Sequence, residues 1–382
     1  MINRFRRALA RHANNYKGWS TSRKIIVIES DDWGSICMPS AEIKKKLIHQ
    51  NYGIEKCPYA SFDSLASEED LQLLFSVLNE FRDRKGTPPV ITANTVTANP
   101  DFEKIMQSDF EEYAYEPFSE TLKRYPEHKH SVDLWKEGMK EGLFFPQFHG
   151  REHINVMLWL EELRNKTSEY RKVFSDEVTW LGPGKTRAGE ISIRAAFDTN
   201  LPKDYGYHSD VLADGFKLFE KLFGYKSKSF IANNFIYHPS LNQTLKDHGV
   251  EYIQGMKYQK LPLEGNRKRE LLRHNTGEVN QYGQHYLVRN CVFEPSQYSP
   301  DFDNVGECMR GIKNAFFWQK PAIITSHRLN FIGYIDPVNR EGNLKQLHEL
   351  LKAILAEWPD AEFLSSVALG DLISQENTRI NL

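Results

Sequence analysis

Short apolar runs rich in β-branched and aromatic residues recur along the 382-residue chain, separated by longer stretches of helical spacing. That alternation constrains the fold most, because it is the pattern of βα units laid around a parallel sheet. Seven strands are predicted, at 24–30, 88–94, 142–148, 227–233, 250–255, 321–326 and 361–366. Between them, Leu71, Leu74, Leu78 and Phe81 follow the N-cap candidate Ser67 at helical spacing, with Gly86 as the expected stop. Leu344, Leu347, Leu351 and Ile354 repeat the design ahead of Pro359. Three connections, roughly 96–130, 165–205 and 256–300, exceed ordinary βα loops and are aromatic and charged, which predicts ordered insertions around a binding surface. The expectation is an α/β fold: an incomplete or distorted (β/α) barrel of about seven parallel strands. Residues 1–20 would form a basic helical segment and 21–382 a single barrel domain.

A formal net charge of −2 removes the strongly basic field expected of a nucleic-acid partner. Cys37, Cys57, Cys291 and Cys308 lie far apart and form neither a CxxC pair nor a disulfide framework. The opening stretch carries Arg4, Arg6, Arg7 and Arg11 without a continuous apolar segment, so it does not read as a secretory signal, and no run approaches a membrane span. A cytoplasmic protein is expected. Ile2, Phe5 and Leu9 would share one side of an N-terminal helix, which either packs on its own domain or touches an anionic membrane surface.

Chemistry collects where strands end. The first strand, in "KIIVIESDDWGS", closes on Asp31 and Asp32; the third runs into "HGREH" with His149 and His153; the sixth runs into His327. Strand C-termini of a (β/α) barrel open on one face, so these distant groups would converge there. Two imidazoles at i, i+4 on a helical turn face the same way, and a carboxylate completes a three-ligand site for Zn²⁺ or a similar divalent ion such as Co²⁺, Mn²⁺ or Ni²⁺. Such an ion lowers the pKa of water and polarises a carbonyl, while the second carboxylate serves as base and His327 as acid.

The segments "SDDWG", "HGREH" and "ITSH", in this order and each after a strand, resemble the motifs of the metal-dependent polysaccharide deacetylases with the NodB homology domain. The resemblance implies hydrolysis of an acetyl group from a carbohydrate, with Asp31 as base, Asp32, His149 and His153 as metal ligands, and His327 as general acid. Where that family has an arginine followed by Pro-Tyr, this chain has "FIANNFIY", offering Asn233, Asn234 and Tyr237 but no arginine. Gly150 stands where the family has Ser or Thr. The carboxylate that supports the acid histidine is sought in Asp198 or Asp336.

Further residues belong to the same mouth on this reading. Asn94 would meet a sugar hydroxyl or acetamide, or cap a turn; Arg328 would bind an acidic sugar or anchor Asp336; Arg194 and Asn330 are similar cases. Trp33 and Trp180 offer faces for sugar CH groups, whereas Trp159 reads as core. Glu152 pairs with Arg151 or meets the substrate. "LGPGKTRAG" (181–189) resembles a phosphate loop but has Thr179 where the first glycine belongs. Two other readings stay open: a glycoside hydrolase on a related barrel, to which adjacent aspartates are poorly suited, and a metal-containing glycan-binding protein without turnover, for which the absent arginine speaks.

Overall fold

The structure, a computed structural model, describes residues 2–184, 191–263, 265 and 268–380. Among them, nine strands form one parallel sheet: β1 (Lys24–Trp33), β2 (Ile91–Thr95), β3 (Phe144–Phe148), β4 (Ser229–Phe230), β5 (Tyr252–Gly255), β6 (His285–Val288), β7 (Cys291–Val292), β8 (Ala322–His327) and β9 (Ala361–Phe363). Their order is β6-β5-β4-β3-β2-β1-β8-β7, with β9 paired to the start of β1. The sheet is therefore an incomplete (β/α) barrel. Its two end strands are consecutive in the chain and joined only by Arg289 and Asn290. All seven expected strands are present, and two further strands of this sheet, β6 and β7, lie inside the segment 256–300, where the sequence predicts an ordered insertion. Both are short, which is why their pattern did not stand out from a charged, aromatic loop.

The alternation of β1 organises the molecule. Ile26 and Ile28 point outward into a core shared with Leu71, Leu74, Leu78, Leu344, Leu347 and Leu351. Those leucines come from two helices, α1 (Glu68–Asn79) and α2 (Pro337–Glu357). Each is fully or almost fully buried and contributes about 1.5–3 kcal/mol. Ser67 and Asp70 close a capping box at the start of α1, and the helix ends at Asn79, ahead of Gly86. Asp336 accepts from the Val338 amide as the N-cap of α2, with Pro337 in the first turn.

Ile25 and Val27 point the other way, into the barrel, where they meet Tyr252, Leu287, Ile323 and the side chains Val367, Leu369 and Ile373 of the C-terminal helix. Glu29 and Asp31 continue this inner face by the two-residue period of a strand. The barrel interior is thus apolar below and charged at its C-terminal mouth.

Candidate metal and acid–base site

A regular strand would send Asp31 and Asp32 to opposite faces. Here the register between β1 and β2 shifts between Ser30 and Trp33, and Asp32 adopts φ 70°. This bulge in left-handed backbone re-aims the second carboxylate, so both aspartates line one cavity of about 490 Å³. Gly34 follows at φ 82°, and a Cβ there would come within 2.5 Å of the Val96 carbonyl oxygen, so the exit from the bulge requires glycine.

Asp32 Oδ1 lies 3.3 Å from His149 Nε2 and 3.0 Å from His153 Nε2. One donor atom from each of the three buried residues falls within 4.8 Å of the others. The histidines reach this point from a loop and not, as expected, from a helical turn. His149 follows β3 directly, Gly150 takes φ 115°, and the next helix begins only at Val156. A Cβ on Gly150 would press against Asn233 Oδ1 at 3.1 Å, which accounts for glycine at this position. His149 Nδ1 lies 2.8 Å from the Ile231 carbonyl oxygen. Donation to that carbonyl leaves the Nε2 lone pair facing Asp32. Burial pulls His153 down to about 4, so its imidazole is neutral and free to ligate. The set fits a divalent ion.

Asp31 is held differently. Arg289 grips it with Nη1 to Oδ2 at 2.7 Å and Nη2 to Oδ1 at 2.6 Å, while its Nε donates to Glu29 at 2.6 Å. Asn94 adds a bond to Oδ1 at 2.8 Å. Burial alone would raise the Asp31 pKa, but Arg289 outweighs it and the carboxyl is held at about 2. The guanidinium on Asp31 thus comes from after β6, at the seam of the open barrel, and not from "FIANNFIY". Its signal, "LVRN", lay in the segment read as an insertion.

Across the cavity, His327 Nε2 lies 3.9 Å from Asp31 Oδ2, the two residues being register partners of β8 and β1. Its Nδ1 meets Glu294 Oε1 at 2.6 Å, and Asn330 donates to the other oxygen of Glu294 at 2.8 Å. Burial lowers the imidazole's proton affinity, but Glu294, then Asp32 and Asp31, override it and raise the pKa to about 9. Neither Asp198 nor Asp336 takes this place. Asp198 pairs with both arms of Arg269, and Asp336 caps α2.

Arg194, from the 165–205 insertion, donates to Asp32 Oδ2 at 2.6 Å and to Asp63 at 3.2 Å, and packs between the rings of Tyr59 and Trp180. Arg328 is fully buried and donates to Asp63 and the Ser35 carbonyl at 2.5 Å each, off the cavity wall. Trp33 is likewise enclosed, edge-on to Phe144 and Trp135. Asn94 is buried under Asp31, and Asn233 donates to the His149 carbonyl. These four position others; of the expected substrate contacts Asn234, Trp180 and Arg194 lie on the cavity wall, with Tyr59, Phe235, Lys260 and Gln297. Glu152 pairs with Arg151 at 2.6 Å. Residues 185–189 of the glycine-rich stretch lie outside the described residues.

No family model matches the chain, and no curated protein matches it. Solved structures similar to it include several described as polysaccharide deacetylases. One, from Mycobacterium smegmatis, has 10% identity over 94% of each chain and a TM-score of 0.46. An allantoinase has 8% identity over 92% of this chain and 91% of its own, with a TM-score of 0.45. A 4-alpha-glucanotransferase from Thermococcus litoralis has 11% identity over 90% of this chain but 40% of its own, with a TM-score of 0.44. At these values the likeness is one of overall shape, and the roles of residues rest on their geometry.

Proposed function

We propose that the protein is a metal-dependent hydrolase that removes an acetyl group from a carbohydrate. The observation that carries this reading is the arrangement of three donors, Asp32, His149 and His153, beside an ionised Asp31 and a protonated His327 on one cavity. Asp32, His149 and His153 would hold a divalent ion, zinc or a similar metal, which would supply water of lowered pKa and polarisation of an acyl oxygen. Asp31 keeps its charge under Arg289, so it is available to accept a proton from the attacking water. His327 carries a proton on Nε2 because Glu294 holds the Nδ1 side, and donates it to the departing sugar nitrogen or oxygen.

Charge balance agrees with this. Glu29, Asp31, Asp32, Asp63 and Glu294 face Arg194, Arg289, Arg328 and the protonated His327, which leaves one carboxylate more than there are cations, so the site favours a bound cation. The wall mixes Trp180, Phe235 and Ile236 with Asn234, Ser192 and Gln297, which suits a sugar's apolar faces and hydroxyl edges. Arg289 on Asp31 also removes the motive for a binding protein without turnover, since the base has its guanidinium partner. The test is metal content together with acetate release from acetylated sugars. About one divalent ion per chain and release that stops with Asp32→Ala support the reading; a metal-loaded protein that releases no acetate from N- or O-acetylated glycans overturns it.

A further inference from the structure

The chain's charge is unevenly distributed. Seven of its 49 basic residues and none of its 51 acidic ones fall in the first 28 positions, so this stretch carries +7 while the rest carries −9. Arg4, Arg6, Arg7 and Arg11 lie on the first helix, Ile2–Asn15. Arg11 pairs with Glu307 and Arg23 with Glu362, whereas Lys17 and Lys24 have no carboxylate partner among the described residues.

The C-terminal half of this helix lies beside the end of the helix Asn304–Phe317. Trp318 Nε1 donates to His12 Nδ1 at 2.9 Å, and Tyr16 meets Trp318 edge-on at 5.8 Å. This framework holds apolar side chains outward: Phe317 is 71% exposed, Tyr16 61% and Leu9 53%. Beneath the helix end, Lys257 Nζ donates to the Asn14 carbonyl and Lys320 Nζ to the Gly18 carbonyl. Burial, with the nearby charges of Arg273, Lys320 and Lys17 partly offset by Glu278, brings Lys257 down to about 8.

We infer that this surface docks the protein on an anionic lipid bilayer, with Phe317, Tyr16 and Leu9 entering the headgroup boundary and the positive charge of the N-terminal stretch drawn to lipid phosphates. Aromatic rings beside lysine and arginine are the composition of the membrane interface. A helix ridge with an exposed leucine and phenylalanine offers no groove for a nucleic-acid backbone, which separates this surface from a strand-tracking one.

The test is co-sedimentation of the full-length protein with phosphatidylcholine vesicles, with and without phosphatidylglycerol. Binding is expected only with the anionic lipid and should fall with added salt. The triple variant Arg4→Gln, Arg6→Gln, Arg7→Gln should lose about fivefold in partitioning per charge removed. Tyr16→Ser with Phe317→Ser should bind at least tenfold more weakly at an unchanged melting temperature, since both side chains are already in water. Three results overturn the inference: no sedimentation of the wild type with anionic vesicles, undiminished sedimentation of the Tyr16→Ser, Phe317→Ser protein, or displacement of the wild type from vesicles by an equimolar single-stranded oligonucleotide. Dissociation of a wild-type dimer by Phe317→Ser without lipid binding would assign the patch to a second copy instead.

Discussion

Asp31 and Asp32 are neighbours in sequence and both buried, yet one faces a guanidinium fork and the other two imidazoles. Arg289 and Asn94 occupy Asp31 from below, leaving its Oδ2 toward His327. Asp32 gives one oxygen to Arg194 and turns the other to His149 and His153. On the proposed reading, this contrast makes one of two chemically identical groups a base and the other a ligand. The decision lies in which loop supplies the counter-charge, and the bulge at φ 70° keeps the two environments apart.

The sharpest way to break this comparison is on the Asp32 side. Asp32→Ala or His153→Ala should remove the metal and lower acetate release by on the order of 10³-fold or more, since water activation and carbonyl polarisation go together. Metal analysis alongside the rate decides it: an active, metal-replete variant would dissolve the distinction. On the Asp31 side, Asp31→Asn should leave metal content intact and cost roughly 10²–10⁴-fold in rate, the range of a general base. Loss of metal in this variant would mean that both carboxylates ligate.

Arg289→Met probes the counter-charge itself. It strands Glu29 and Asp31 in the barrel without a cation, and breaking such a buried pair costs about 3–5 kcal/mol, readable by urea unfolding. The acid limb of the rate should also move up toward neutral pH, because the group that holds Asp31 near 2 is gone. A milder change acts on the opposite wall. With His327 raised to about 9 against an unfolded value near 6.5, its pairing stabilises the metal-free protein fully below about pH 6.5 and is lost as pH rises through 9. Glu294→Gln should flatten that dependence and shift the alkaline limb of activity downward, with little change in rate near pH 6. An unmoved limb would take Glu294 out of the acid's support.

Much of this site was legible because strand ends announce it. Asp31, Asp32, His149 and His327 each close or follow a run of apolar, β-branched or aromatic residues, and barrel geometry gathers such ends without further information. The supports were harder to read. Arg289 sits after a four-residue strand and Glu294 just past a two-residue one, both too short to show a period, so the segment looked like insertion. Arg194 comes from a stretch without regular structure, and only the folded chain brings it to Asp32. Trp33 and Arg328 misled for the converse reason. Residue type suggested sugar contact, but alternation across the bulge and the buried carboxylate of Asp63 turned them inward.

The smallest effect is expected where a second pair of neighbours repeats the contrast. Asn233 is fully buried and braces the His149 carbonyl, whereas Asn234 is exposed on the cavity wall. Asn234 and Phe235 both take positive φ, at 54° and 59°, a conformation asparagine tolerates better than alanine. Asn234→Ala therefore changes two things at once, removing an amide and straining a turn. Asn234→Gly separates them, since glycine keeps the backbone and lacks the side chain. If the amide meets the sugar, both variants should raise KM by about 2–10-fold with kcat nearly unchanged, the worth of one net hydrogen bond. If only the turn matters, alanine should impair the enzyme and glycine should not, and substrate contact would then pass to Trp180, Gln297 and Lys260 on the same wall.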